Sequence, residues 1–272
     1  MKLKSYLKKA NHSGWAIGQF NFSNSKILQA IVQAARNERA PVILGTSEGE
    51  SKSIGLKQAA VLVKSYKKET GLPLFLNLDH GRSFNYIKKA IDAGYDAVHF
   101  DGSNLSLNRN IKIAKKVVKY AKKRNVLVEG EVGVIGGILT DPEEARKFIK
   151  KTKVDSLAVN IGTIHGMRKS GRNPQINLQR LKEIKKKVGK IPLVLHGGSG
   201  TSSKDIRLAI KLGISKVNIN TELRIAYTKT LRKVLKKKPK EFIPYKYMPE
   251  VVKAVQRVVE EKIKLFGSVK KA

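Results

Sequence analysis

The chain has no cysteine among its 272 residues. No disulfide framework and no thiolate metal site can form, so any metal must be held by histidines and carboxylates. Aromatic residues are scarce at 6%, with a single tryptophan. The lysine runs at 185–187 and 236–238 therefore lack the interleaved aromatics on which bases stack. Acids are also few: 21 Asp and Glu stand against 56 Lys and Arg, giving a net charge of +35. A chain this basic attracts anions in general, whether nucleic acid, phosphorylated metabolites or membrane surfaces. We read most of the charge as a solvated, lysine-rich helix exterior that binds nucleic acid only non-specifically, if at all. No apolar run approaches the roughly 20 residues of a membrane span. Met1-Lys2-Leu3-Lys4 leads into no signal-peptide core. The expectation is a cytoplasmic protein with no membrane partner.

What the chain does have is a regular alternation of short apolar runs and amphipathic segments. Leu72–Leu78 is apolar except for Pro73 and Asn77 and reads as a buried parallel strand delivering Asp79-His80-Gly81 at its end. Similar runs lie at 15–22, 41–44, 97–100, 126–132, 156–161, 191–195 and 216–219, each followed by a helical pattern. The stretch 45–49 reads as a small polar loop. Eight such units predict a closed (β/α)8 barrel of the α/β class, a TIM barrel, rather than a doubly wound sheet, because closure removes both exposed edges. Residues 1–272 are read as one domain with a short leading helix at 4–12. A further amphipathic helix at 248–266 must cover the barrel's flank or a partner subunit.

In such a barrel Asn21, Ser47, Asp79, His80, Asp101, Glu131, His165, His196, Asn218 and Asn220 share one rim, at the strands' C-terminal ends where chemistry is done. His80, His165 and His196 end strands three, six and seven, and each is followed by glycine. Three imidazoles with a fourth position open make a catalytic zinc site, whereas a structural site would be closed by four protein ligands. His12 and His99 read as structural, His99 lying one layer deeper than Asp101. The turn HGGSG at 196–200 precedes a helix and NINTEL at 218–223 opens another, so backbone N–H groups and helix dipoles favour a phosphate there.

The segments NLDHG, FDGS, VEGEVG followed by IGG, TDPEEA, LAVNIGTIHG, PLVLHGGSG and KVNINTEL occur in this order. Together they resemble the class II fructose-bisphosphate and tagatose-bisphosphate aldolases, from about Trp15 to Ser268. The resemblance implies a lyase performing zinc-dependent, reversible aldol cleavage of a ketose bisphosphate to dihydroxyacetone phosphate and glyceraldehyde 3-phosphate. It implies His80, His165 and His196 as zinc ligands, with Glu131 as a ligand or outer-shell group and Asp101 orienting a metal histidine. Asp79 would carry the hydroxyl proton. Gly166, Gly197, Ser199, Asn218, Asn220 and Thr221 match positions that hold dihydroxyacetone phosphate, Ser47 a contact to the other phosphate, and Asn21 a substrate contact. The resemblance also implies a homodimer or homotetramer and leaves room for a monovalent cation near the phosphate site.

One departure stands out. The family carries a longer mobile loop with a Glu-Asp element after the fifth strand's Gly-Gly, whereas here Gly136-Gly137 runs almost directly into Thr140-Asp141-Pro142. Glu143 and Glu144 are the nearby acids and read as plain first-turn residues. The alternative is an aldolase-fold protein of reduced or altered activity that binds a phosphate ligand or nucleic acid. A Schiff-base aldolase is disfavoured because no lysine is read at a strand end.

Overall fold

The computed structural model describes residues 2–168 and 173–272. The strands are β1 (Ile17–Asn21), β2 (Val42–Ser47), β3 (Leu74–Gly81), β4 (Ala97–Phe100), β5 (Leu127–Val132), β6 (Ser156–Val159), β7 (Leu193–Leu195) and β8 (Ile214–Ile219). The helices in the first half are α1 (Leu3–Ser13), α2 (Ser25–Glu38), α3 (Glu48–Ile54), α4 (Leu56–Thr70), α5 (Phe84–Asp92) and α6 (Leu107–Lys122). Those in the second half are α7 (Pro142–Thr152), α8 (Leu178–Val188), α9 (Ser203–Lys211), α10 (Thr221–Lys237) and α11 (Pro244–Leu265). The strands pair in parallel in sequence order and β1 closes on β8. The α/β barrel expected from the alternation is the fold observed.

Local chemistry explains most boundaries. The Asn24 side chain accepts from the N–H groups of Lys26 and Ile27 and so starts α2, while Asp141 does the same for α7 with Pro142 in its first turn. Gly71, at φ 67°, ends α4 in the left-handed conformation that glycine adopts freely. The polar stretch 45–49 is not a loop. Gly45, Thr46 and Ser47 pair with Asn77, Leu78 and Asp79 of β3. Ser47 and Glu50 then cap each other's backbone at the start of α3. The polar residues there serve a strand end and a capping box, a use that composition alone conceals. The C-terminal helix starts at Pro244 rather than 248, proline being tolerated in a first turn.

Two apolar clusters organise the interior. The larger lies between the strands and the surrounding helices and includes Phe20, Phe100, Phe148 and Phe266. The smaller joins Leu3, Tyr6, Leu7 and Ala10 of α1 to Trp15, Ile17, Ile43, Phe75 and Ala97, within two residues of the starts of β1 to β4. Helix α1 thus plugs the barrel's N-terminal end, opposite the mouth at the strands' C-terminal ends. Helix α11 packs on α2 and α10, burying Val251, Val252, Val255, Val259 and Ile263, so it covers the flank.

Close packing of strand against helix can be tested at Gly130 in β5. A Cβ there would lie 2.5 Å from Phe148 Cε1 and 2.8 Å from Cζ, and that ring is fully buried. Gly130→Ala should cost about 1–3 kcal/mol in chemical denaturation. Combined with Phe148→Leu, the loss should be smaller than the sum of the two single losses, because the clash is relieved. Strict additivity would contradict this packing.

Candidate active site

Successive strand residues face opposite sides of a sheet, so Asp79 and His80 could not both face the barrel mouth from a regular strand. The structure breaks the alternation. His80 has φ 52°, and the β3–β4 register slips between Leu78 and Gly81. The bulge aims both side chains into one cavity of about 550 Å³. Asn21, Ser47, Asp101, Glu131, His165, Gly166, His196, Gly197, Ser199, Asn218, Asn220 and Thr221 line the same cavity, so every site residue expected from the sequence is brought to one place.

A chain of polar contacts runs through it. Asp101 Oδ2 lies 2.8 Å from His80 Nδ1, and His80 Nε2 lies 2.9 Å from His196 Nδ1. His196 Nε2 lies 2.8 Å from Glu129 Oε1, and Lys216 Nζ donates to Glu129 Oε2 at 2.6 Å. The carboxylates fix the tautomers: His80 donates from Nδ1 to Asp101 and His196 from Nε2 to Glu129. The two remaining ring nitrogens then face one another across a gap that a proton can bridge. Asp79 stands beside them, accepting from Asn21 Nδ2 at 2.9 Å and Asn218 Nδ2 at 3.1 Å.

The donor set fits a divalent cation. Ligand atoms of Asp79, His80 and His196 lie within 4.8 Å of one another, as do those of His80, Asp101 and Glu131. Glu131 Oε2 is buried without a hydrogen-bond partner. Such orphaned polar atoms are costly unless something polar or charged meets them. His165 belongs to neither set. It sits on the loop after β6 rather than at a strand end, exposed at the rim, its ring centroid 4.9 Å from that of His80.

Charge shapes this site. Burial pushes the Asp79 carboxyl up, but the positive fields of His80, His196, His99 and Lys216 outweigh it and hold the group well below the usual carboxylate range. Burial pulls the His80 imidazole down, but Asp79, the Asp101 hydrogen bond and Glu131 outweigh it and raise the group to about 9. Burial is the main cause lowering His165 and His196, with neighbouring imidazoles adding to it.

Across the cavity, Gly197 at φ 69° turns the chain after β7. A Cβ there would collide with the Ile164 carbonyl, so the loops meet backbone to backbone. Gly200 N–H donates to Glu222 at 2.9 Å, tying this turn to the start of α10.

The short segment between β5 and α7 is a tied turn. The Asn160 amide donates to the carbonyls of Val134, Gly137 and Ile138 at 2.6, 3.1 and 3.0 Å. Glu143 pairs with Arg146 and Lys187, and neither it nor Glu144 lines the cavity. Both are first-turn acids, as read from the sequence. Asp79, Asp101 and Glu131 are the acids among the lining residues.

Several contributors were not singled out from the sequence. Glu129 was legible as the partner of Glu131, two residues apart on one strand face, and Lys216 as a cation inside an apolar strand that requires a buried acid. Lys216 does not line the cavity and is committed to Glu129. Glu50 accepts from Ser47 N, Asn21, Asn220 and Arg224, binding three loops together. His99, read as structural, lies with its ring 4.7 Å from those of both His80 and His196.

Comparison with known proteins follows the same lines. A family model described as "Fructose-bisphosphate aldolase class-II" matches residues 1–271. The fructose-bisphosphate aldolase of Staphylococcus epidermidis is 38% identical over 285 residues, covering 100% of this chain and 99% of that protein. That of Geobacillus stearothermophilus is 39% identical, covering 100% and 98%. Among solved structures, the YdjI aldolase from Escherichia coli K12 superposes with a TM-score of 0.90 at 33% identity, covering 100% of this chain and 98% of that one. A putative fructose-1,6-bisphosphate aldolase from Coccidioides immitis gives 0.89 at 27% identity, covering 99% and 97%.

With chelator present, ring nitrogen shifts should show His80 keeping its second proton to about pH 9. His165 and His196 should titrate below the ordinary value of 6.5. Because the folded value of His80 exceeds its unfolded one, the stability it adds is complete below pH 6.5 and lost as pH rises through about 9. A His80 ring that is neutral at pH 7 would contradict this electrostatic picture.

Proposed function

Since this chain belongs to the class II fructose-bisphosphate aldolases, a family of carbon–carbon lyases, we propose that it cleaves a ketose 1,6-bisphosphate reversibly at this cavity with a zinc ion. The observation that carries the proposal is the convergence of His80 Nε2 and His196 Nδ1, 2.9 Å apart, beside Asp79 and with the His165 ring centroid 4.9 Å from that of His80. His80, His165 and His196 would hold the ion, with Glu131 as a further ligand or outer-shell group. A bound zinc ion would supply a Lewis acid for the substrate's carbonyl oxygen.

The protein's own groups do the rest. Asp79 is ionised and buried, and two amides fix its orientation. It takes the substrate's hydroxyl proton in cleavage and returns it in condensation. Asp101 holds the His80 ring from behind, and Ser103 donates to Asp101 through both N–H and hydroxyl. The turns at Gly166, Gly197 and Ser199 and the α10 terminus at Asn218, Asn220 and Thr221 receive the phosphate of the dihydroxyacetone half. Ser47 receives the other phosphate and Asn21 a substrate hydroxyl. Fructose and tagatose bisphosphates differ in the configuration of one hydroxyl, so both are candidate substrates. Exposed Phe242, Tyr245 and Ile225 favour self-association into a dimer or tetramer.

Two variants separate the roles. His165→Ala should lose most bound zinc and, with it, turnover of both sugars. Asp79→Ala should retain zinc while turnover drops by about 10²–10⁴. Metal content and a coupled cleavage assay read both. An Asp79→Ala enzyme with wild-type turnover, or a His165→Ala enzyme with full metal and activity, would contradict the assignment.

A further inference from the structure

We infer that His99 is a positioning residue, holding the backbone of His80 and the carboxylate of Glu131 in the arrangement that the metal site requires. The need arises at the β3 bulge. His80 can reach the cavity only because it leaves the strand conformation, at φ 52° and across a register slip. A bulged residue loses its ladder partner, and a buried N–H without an acceptor is destabilising. His99 on β4 supplies that acceptor, its Nδ1 taking the His80 N–H at 3.2 Å.

That bond dictates the rest of the ring. An imidazole that accepts at Nδ1 carries its proton on Nε2 when neutral. Here Nε2 is buried 3.1 Å from Glu131 Oε2 on β5, although the approach is not aligned as a hydrogen bond, and neither atom has a hydrogen-bond partner elsewhere. The side chain is fully buried and does not line the cavity, so it touches no substrate. With Nδ1 turned to backbone and Nε2 bearing the proton, His99 offers no lone pair to a metal. Its ring does touch the rings of both His80 and His196, with centroids 4.7 Å apart in each case. One imidazole thus links β3 and β5 through the strand between them. Its effect on metal binding rests on the function proposed above, whereas its hold on the bulge does not.

The test compares His99→Leu, which fills the space without either polar contact, with His99→Gln, whose amide can accept from His80 and donate toward Glu131. In metal-free protein, hydrogen exchange of the His80 amide should be slow in wild type, at least about tenfold faster in the Leu variant, and near wild type in the Gln variant. Zinc dissociation constants from chelator competition should weaken about 10–100-fold in the Leu variant and recover most of that loss in the Gln variant. Unchanged exchange in the Leu variant, or a Gln variant as impaired as the Leu variant, would overturn the inference. Faster exchange with unchanged zinc affinity would also overturn it, since His99 would then brace the bulge without positioning the site. If the Leu variant does not fold, the Gln variant decides: near-wild-type exchange and affinity support the inference, and loss of both refutes it. A wild-type protein that takes up no zinc would defeat the proposed function, while the exchange measurement would still judge the hold of His99 on His80.

Discussion

Burying ionisable groups is tolerable only when opposite charges meet, and this barrel is built around one such alignment. Asp101, His80, His196, Glu129 and Lys216 follow one another at 2.6–2.9 Å from the mouth into the interior. Each charge is flanked by a group that compensates it, so the series can stay charged where an isolated group would neutralise. Truncating either end would remove the nearest opposite charge from a buried group. The alignment also fixes which nitrogen of each histidine faces the cavity. The chain is poor in acids, yet Glu50, Asp79, Asp101, Glu129 and Glu131 all gather in or around this cavity. Lysine and arginine outnumber acids on its surface, and a positive exterior raises the encounter rate with anions.

The fold frames the alignment. Eight parallel strands leave no sheet edge, α1 seals the N-terminal end, and α11 covers α2 and α10. The mouth at the C-terminal strand ends carries the candidate site residues. The β3 bulge is a local departure from regularity. It places a non-glycine residue at positive φ, a strain that persists only where surrounding contacts over-determine it. Those contacts are the Asp101 bond to the ring and the His99 bond to the backbone.

Barrel closure and the cavity's principal residues were readable in the sequence, because strand ends carried chemically distinctive groups in a repeating frame. Asp79 and His196 are legible from position alone, whereas His80 also needs the bulge. His165 is less well described that way, since β6 stops at Val159 and a loop carries the histidine to the rim. Stretch 45–49 misled because capping residues and loop residues are the same types. The supporting groups Glu129, Lys216 and His99 lay inside strands, where side-chain direction decides between core and site. A β-bulge, which no periodicity announces, sets that direction for His80. The tied turn after β5 was readable as short, but its lock by Asn160, more than 20 residues away, depends on tertiary structure.

The central claim is that the inner nitrogens of these histidines share one ion. An anomalous difference map recorded at the zinc edge, from crystals grown with zinc and compared with data below the edge, tests it most directly. The account predicts a single strong peak at the barrel mouth, bounded by His80 Nε2, His196 Nδ1 and the His165 ring. A map with no peak there, or with zinc bound only elsewhere on the protein, would contradict it.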